Sequence, residues 1–213
     1  MNTFSAMAVA GTFGIATVAS GNILLNGGFE AGSGTSADNW NAVVGGPSGF
    51  VERSSAMPNS GNFSAHMSFD HINNPVAGGA YFFEQVQPVG SIVGGDDYTI
   101  SFSAKSESTN FIGMDAFVQI LWLDQDDSNG GGVQGEQLIS LIPLGLNDSY
   151  QQFSFDVTSA ANADSFLLRF QVSAGAVAGI ANGMFVDDAS LTPTPASAAL
   201  LGLSGLVAAR RRR

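Results

Sequence analysis

Few residues in this chain of 213 can do covalent chemistry. It has eighteen Asp and Glu, two His and no Cys, so thiol nucleophiles, disulfides and Cys-ligated metals are excluded. A glycosidase needs two carboxylates flanking a cleft, and no pair among the acids is marked by its spacing. The stretches around Ser48 and Ser204 do not match the Gly-x-Ser-x-Gly elbow of a serine hydrolase. His66 and His71 stand at odd spacing, which on one strand puts them on opposite faces and argues against a shared metal or a catalytic pair. His66 reads as solvent-facing. The run from Asp124 to Gly130 starts like a calcium loop, but its Gly comes one place late and Glu136 falls at position 13 instead of 12. It reads as a solvated hairpin loop between Phe117–Leu123 and Gln137–Ile142. What remains is recognition by stacking. Trp40, Tyr81, Phe82, Trp122 and Tyr150 could cover the apolar face of a pyranose while amides and carboxylates bond its hydroxyls. The sequence therefore predicts a non-enzymatic protein.

These side chains have to be carried by strands. Tyr98, Ile100, Phe102 and Ala104 alternate with Thr99, Ser101, Ser103 and Lys105, the period of a half-buried strand. The same alternation appears at Ala65, Met67 and Phe69, at Phe153, Phe155 and Val157, and at Phe166, Leu168, Phe170 and Val172. Gly-rich turns separate the runs, and no convincing helix lies between them. An all-β, two-sheet antiparallel sandwich follows. The run Phe117–Leu123 is apolar on both faces, so Trp122 sits on a doubly covered strand or one lining a cleft. Tyr81 and Phe82 must point to opposite faces, leaving one of them to be exposed.

Charge divides the chain further. Four of its seven basic residues are Arg210, Arg211, Arg212 and Arg213, so the body holds three basic against eighteen acidic side chains, a charge of −15. That body repels phosphate, and nucleic acid is not an expected partner. Residues 1–20 are apolar and small, contain no acid and end in Val18-Ala19-Ser20, as a secretory signal peptide does. At the other end, Pro193-Thr194-Pro195 precedes an apolar run from Ala196 to Ala209 and then the four Arg. Fourteen residues make about 21 Å of helix, a short membrane span beside a hydrocarbon core of about 30 Å. Thr192 to Pro195 reads as a hinge, giving a leader at 1–20, a domain at 21–191 and a tail at 192–213.

The tail, with its Pro-x-Pro-Ala-Ser motif, short apolar helix and Arg cluster, resembles the PEP-CTERM sorting signal of exported bacterial proteins, with Thr194 where that motif has Glu. The resemblance implies processing by an exosortase-type enzyme after signal peptidase, a transient membrane anchor through Pro193, Pro195 and Arg210–Arg213, and delivery to the cell surface or extracellular matrix. The body resembles a family 4/9 carbohydrate-binding module of the galactose-binding-like jelly-roll type. The resemblance is carried by Asn22–Glu30, Trp40, Phe83–Val86, Tyr98–Lys105, Tyr150–Val157 and Phe185–Leu191. It implies a polysaccharide partner, with Tyr81, Phe82 and Trp122 as candidate stacking residues, because Trp40 and Tyr150 fall at family positions that pack in the core. It also implies a structural calcium ion joining the first and last strands through Glu30 and through Asp187 or Asp188. A structural matrix protein of the same fold, without a specific glycan, is the alternative.

Overall fold

The structure is a computed structural model and describes residues 21–72, 78–124 and 132–194. The leader at 1–20, the tail with Pro195 and Arg210–Arg213, and the tip of the loop after Asp124 lie outside the described residues. Among the described residues no helix is long and apolar enough to cross a membrane.

Among the described residues twelve strands follow in chain order: β1 (Gly32–Ser33), β2 (Ser36–Ala37), β3 (Asn41–Val44), β4 (Gly49–Ser54), β5 (Ser64–Asp70), β6 (Gly79–Val86), β7 (Asp97–Ser106), β8 (Met114–Leu123), β9 (Val133–Ser140), β10 (Gln151–Thr158), β11 (Ser165–Ala174) and β12 (Ala181–Pro193). They form a short β1–β2 ribbon and two five-stranded sheets, ordered β10-β7-β12-β5-β4 and β3-β6-β11-β8-β9. Every pairing is antiparallel. Neighbouring strands are mostly far apart in sequence, and the two sheets pack face to face as a jelly-roll sandwich.

Alternation decides what goes inside. Tyr98, Ile100, Phe102 and Ala104 of β7 are buried, as are Phe166, Leu168, Phe170 and Val172 of β11. Rings from the two sheets meet in the middle: Phe102 against Phe170 at 4.9 Å, Tyr98 against Trp122 at 6.1 Å and Phe69 against Tyr81 at 6.5 Å. Each such pair adds stabilisation of about 0.5–1.5 kcal/mol to the burial of its apolar area.

The segment Asn26-Gly-Gly-Phe-Glu30 ties the start of the domain to its end. Ile23 N donates to Leu191 O and Ala189 N to Gly27 O. Asn26 donates to Ala31 O and Asp38 O and accepts from Ala31 N, while its own carbonyl receives the Trp40 indole N–H. Phe29, fully buried, packs on Trp40 and Phe83. Gly27 has no room for a side chain, because a Cβ there would lie 1.9 Å from Ala189 O.

Thr192 and Pro193, expected as part of a hinge, belong to the last strand. Strand β12 continues through Thr192 and Pro193, which pair with Thr99 and Tyr98 of β7, and Thr194 N still donates to Asp97 O.

Candidate functional site

On the outer face of the β3-β6-β11-β8-β9 sheet, the register sets Asn41, Glu84, Arg169 and Gln119 side by side on four strands. Their side chains are joined in sequence. Asn41 Nδ2 donates to Glu84 Oε1 at 3.1 Å. Arg169 donates through Nε and Nη2 to Glu84 Oε2 at 3.0 and 2.7 Å, and through Nη1 to Gln119 Oε1 at 3.0 Å. Gln119 Nε2 reaches Glu136 Oε1 on β9 at 2.6 Å. The result is a polar ladder crossing all five strands. Its central ion pair is half-buried, with the Arg169 and Glu84 side chains 23% and 15% exposed, so it is fixed more firmly than a surface pair.

Phe82 stands in the next row with Gln171 and Phe117, and the Arg169 guanidinium carbon lies 4.1 Å from its ring centroid. Phe82 and Phe117 are half-buried, leaving ring surface at the face.

The other two candidate stacking residues are not on this face. Tyr81 is 0% exposed and Trp122 2% exposed, and both belong to the core. Tyr81 shares the parity of the buried Phe83, and Trp122 that of the buried Val118 and Ile120, so their rings point between the sheets and cannot stack on a sugar. Trp40 is in the core as expected. Tyr150 is not. It sits beside the edge strand β10, half-buried, with its hydroxyl donating to Met57 O at 2.5 Å.

Glu30, Asp187 and Asp188 all converge on the segment from Asn59 to Phe63. Asp187, fully buried, accepts from the backbone N–H groups of Asn59 and Ser60 through Oδ2 and from Asp188 N through Oδ1. Asp188 accepts from Asn59 Nδ2 and Ser60 Oγ. Glu30 Oε1 accepts from the N–H groups of Asn62 and Phe63. Burial pushes the Asp187 carboxyl above its ordinary value, against the pull of its backbone donors. At Glu30 desolvation acts in the same upward sense but is outweighed by the Asn62 and Phe63 donors and the nearby Arg53 charge, which hold its carboxyl below the usual range.

The expected calcium ion would have to compete with these donors. Such an ion takes six to eight oxygens, whereas these carboxylates already receive N–H and O–H donors. Among the described residues no group of three or more acidic or His side chains is arranged to hold a metal. Positive charge comes instead from Arg53, buried and donating to the carbonyls of Phe29 and Glu30 at 2.6 Å.

His66 faces outward, as its parity requires, but it is not solvated. It is 7% exposed, stacked on Phe185 at 3.9 Å and bonded through Nε2 to Glu107 at 2.6 Å. The alternating pattern gave no sign of this cover, since Phe185 is brought over it by the pairing of β12 with β5.

No family model matches the chain, and no curated protein does. Among solved structures, the enzymatically active domain of tailspike protein 4 from bacteriophage CBA120 is similar over 81% of this chain and 21% of its own, with 17% identity and a TM-score of 0.58. An arabinose-bound α-L-arabinofuranosidase is similar over 81% of this chain and 26% of its own, with 16% identity and a TM-score of 0.53. A family 61 carbohydrate-binding module solved with β-1,4-galactotriose is covered over its full length by 82% of this chain, at 15% identity and a TM-score of 0.49. The chain thus spans about a quarter or less of the tailspike and arabinofuranosidase chains, and what it shares with them is the β-sandwich fold.

Proposed function

We propose that the chain is a non-catalytic module that binds a polysaccharide along the outer face of the β3-β6-β11-β8-β9 sheet. The polar ladder from Asn41 to Glu136 carries this reading. Three of the five guanidinium N–H groups of Arg169 are held by Glu84 and Gln119, leaving two for a ligand. The fixed row of amides and charges is organised before binding, which lowers the entropy lost when a hydroxyl-rich chain docks. Phe82 and Phe117 supply the apolar surface for stacking.

In this reading the leader at 1–20 is removed by signal peptidase. The tail from Pro193 serves as a PEP-CTERM-like signal for an exosortase-type enzyme, with the module delivered to a bacterial cell surface or extracellular matrix. The resemblance of both ends to such signals supports the route.

Affinity electrophoresis through gels containing neutral plant and bacterial polysaccharides tests the binding. The full chain is expected to be retarded by at least one polymer, and Arg169→Met to lose that retardation while melting cooperatively. Retardation by none of the polymers, or an equal retardation of Arg169→Met, overturns the proposal; the first result favours a structural matrix protein of the same fold. Replacing Arg210–Arg213 with Ser tests the route, and unchanged maturation and surface delivery would remove the sorting assignment.

A further inference from the structure

We infer a second site, on the opposite sheet, that takes one neutral sugar unit against Tyr150. It lies where β12 departs from regular pairing. The register between β12 and β7 slips between Asp187 and Ser190, and Asp188 at the bulge holds φ at 53°, a left-handed backbone that Asp adopts more readily than other residues with a side chain. A bulge of this kind persists where surrounding contacts impose it, and it concentrates at binding sites.

The contacts imposing it are specific. The Asp188 carboxylate holds Asn59 Nδ2 at 2.8 Å and Ser60 Oγ at 2.6 Å, and Asn59 Nδ2 also reaches Ser103 Oγ at 3.2 Å. The Tyr150 hydroxyl is pinned to Met57 O, and the Lys105 ammonium stands 5.9 Å from the ring centroid. Between the pinned ring and the bulge is an open depression of about 390 Å³, lined by Asn59, Ser103, Tyr150, Gln151, Gln152 and Asp188, together with Phe102 of β7.

That lining selects the ligand. Its volume lies within the roughly 300–1,000 Å³ of small-molecule sites. Three amides and a hydroxyl supply donors and acceptors for vicinal hydroxyls, and Tyr150 supplies the ring on which a pyranose face rests. An anion is disfavoured by Asp188. A cation would meet a carboxylate already holding two donors, with Lys105 close by. An apolar molecule would strand the amides. A neutral polyol satisfies all of them. The site is independent of the Arg169 ladder, because its residues belong to β7, β10 and β12 of the other sheet, to Tyr150 just before β10 and to the segment around Asn59.

The test is a titration of the isotope-labelled full chain with the methyl glycosides of glucose, galactose, xylose and arabinose, followed through side-chain amide resonances in NMR spectra. At least one sugar is expected to shift the amides of Asn59, Gln151 and Gln152 saturably. Tyr150→Ala should weaken that binding by about tenfold or more, Gln152→Ala should weaken it less, and Arg169→Met should leave it unchanged. Gln152 is exposed on an edge strand, so its variant remains informative if loss of the Tyr150–Met57 tie perturbs folding. Absence of saturable shifts at these three amides for all four sugars, or undiminished shifts in both Tyr150→Ala and Gln152→Ala, overturns the proposal. Shifts confined to Gln119 would assign the sugar to the ladder alone.

Discussion

Gly27 and Gly28 are adjacent and chemically identical, yet the structure gives their replacement opposite consequences. A Cβ at Gly27 would lie 1.9 Å from Ala189 O and 2.9 Å from its carbonyl carbon, where C···O contacts ordinarily begin at about 3.3 Å. The neighbour is backbone in the middle of β12, so no side chain can swing aside. Relief requires moving residues 22–27 away from β12, which breaks the bond from Ala189 N to Gly27 O and weakens that from Asn22 Nδ2 to Ala189 O. Two hydrogen bonds at about 1 kcal/mol each, with overpacking at about 1–3 kcal/mol, make Gly27→Ala destabilising by about 3–5 kcal/mol. For a domain of this size each kcal/mol lowers the melting point by about 2–4 °C, and a fall of about 10 °C is expected. At Gly28 the nearest atoms to a Cβ are 3.8 and 3.9 Å away. Gly28→Ala should therefore stay within about 0.5 kcal/mol of the parent. Paired thermal and urea melts of the two variants measure the difference. Equal melting points, or a larger loss for Gly28→Ala, would refute the claim that Gly27 is a site of forced close approach to β12.

Two further outcomes concern the carboxylates around Asn59–Phe63. The folded-state pKa of Glu30 is depressed below the ordinary 4.5, so its contribution is present above that value and is lost as pH falls through the folded value. The melting-point gap between the parent and Glu30→Gln should thus be widest near neutrality and close in acid; a gap independent of pH would contradict it. Asp187 has the opposite sign, because its raised pKa costs stability above the folded value and relieves that cost as pH falls toward 3.8. Adding calcium or a chelator is expected to leave the melting point of the full chain unchanged. A chelator-induced fall would show that a metal can displace the N–H donors on Glu30 and Asp187.

The strands were legible because inside and outside residues differ in kind. On β7, Tyr, Ile, Phe and Ala alternate with Thr, Ser, Ser and Lys, and burial follows that alternation. On β8 the signal fails, since Phe117 and Leu121 on the outer face are as apolar as Val118 and Trp122 on the inner one, and a period of two cannot say which side is core. The pattern therefore reads Trp122 as a candidate ligand contact, whereas its packing on Tyr98 and Phe166 belongs to the core. The ladder was hidden for another reason. Asn41, Glu84, Gln119, Glu136 and Arg169 come from five strands, of which only β8 and β9 are consecutive in the chain, and the register makes them neighbours. A family position places Tyr150 in the core, whereas the Met57 carbonyl that holds its hydroxyl is reached only through the folded chain.

The stitching of residues 22–27 to residues 189–191 has a mechanical meaning. The first and last described segments lie against each other, so whatever is attached before Gly21 and after Thr194 leaves the sandwich from one pole. A load applied between these two attachments does not stretch the core. It peels one short zipper held by Ile23–Leu191 and Gly27–Ala189, bond by bond, and that zipper gives way before the sheets are strained. The same adjacency makes the domain a natural insert: joined by a short linker, its ends could be closed and the chain reopened elsewhere without disturbing either sheet.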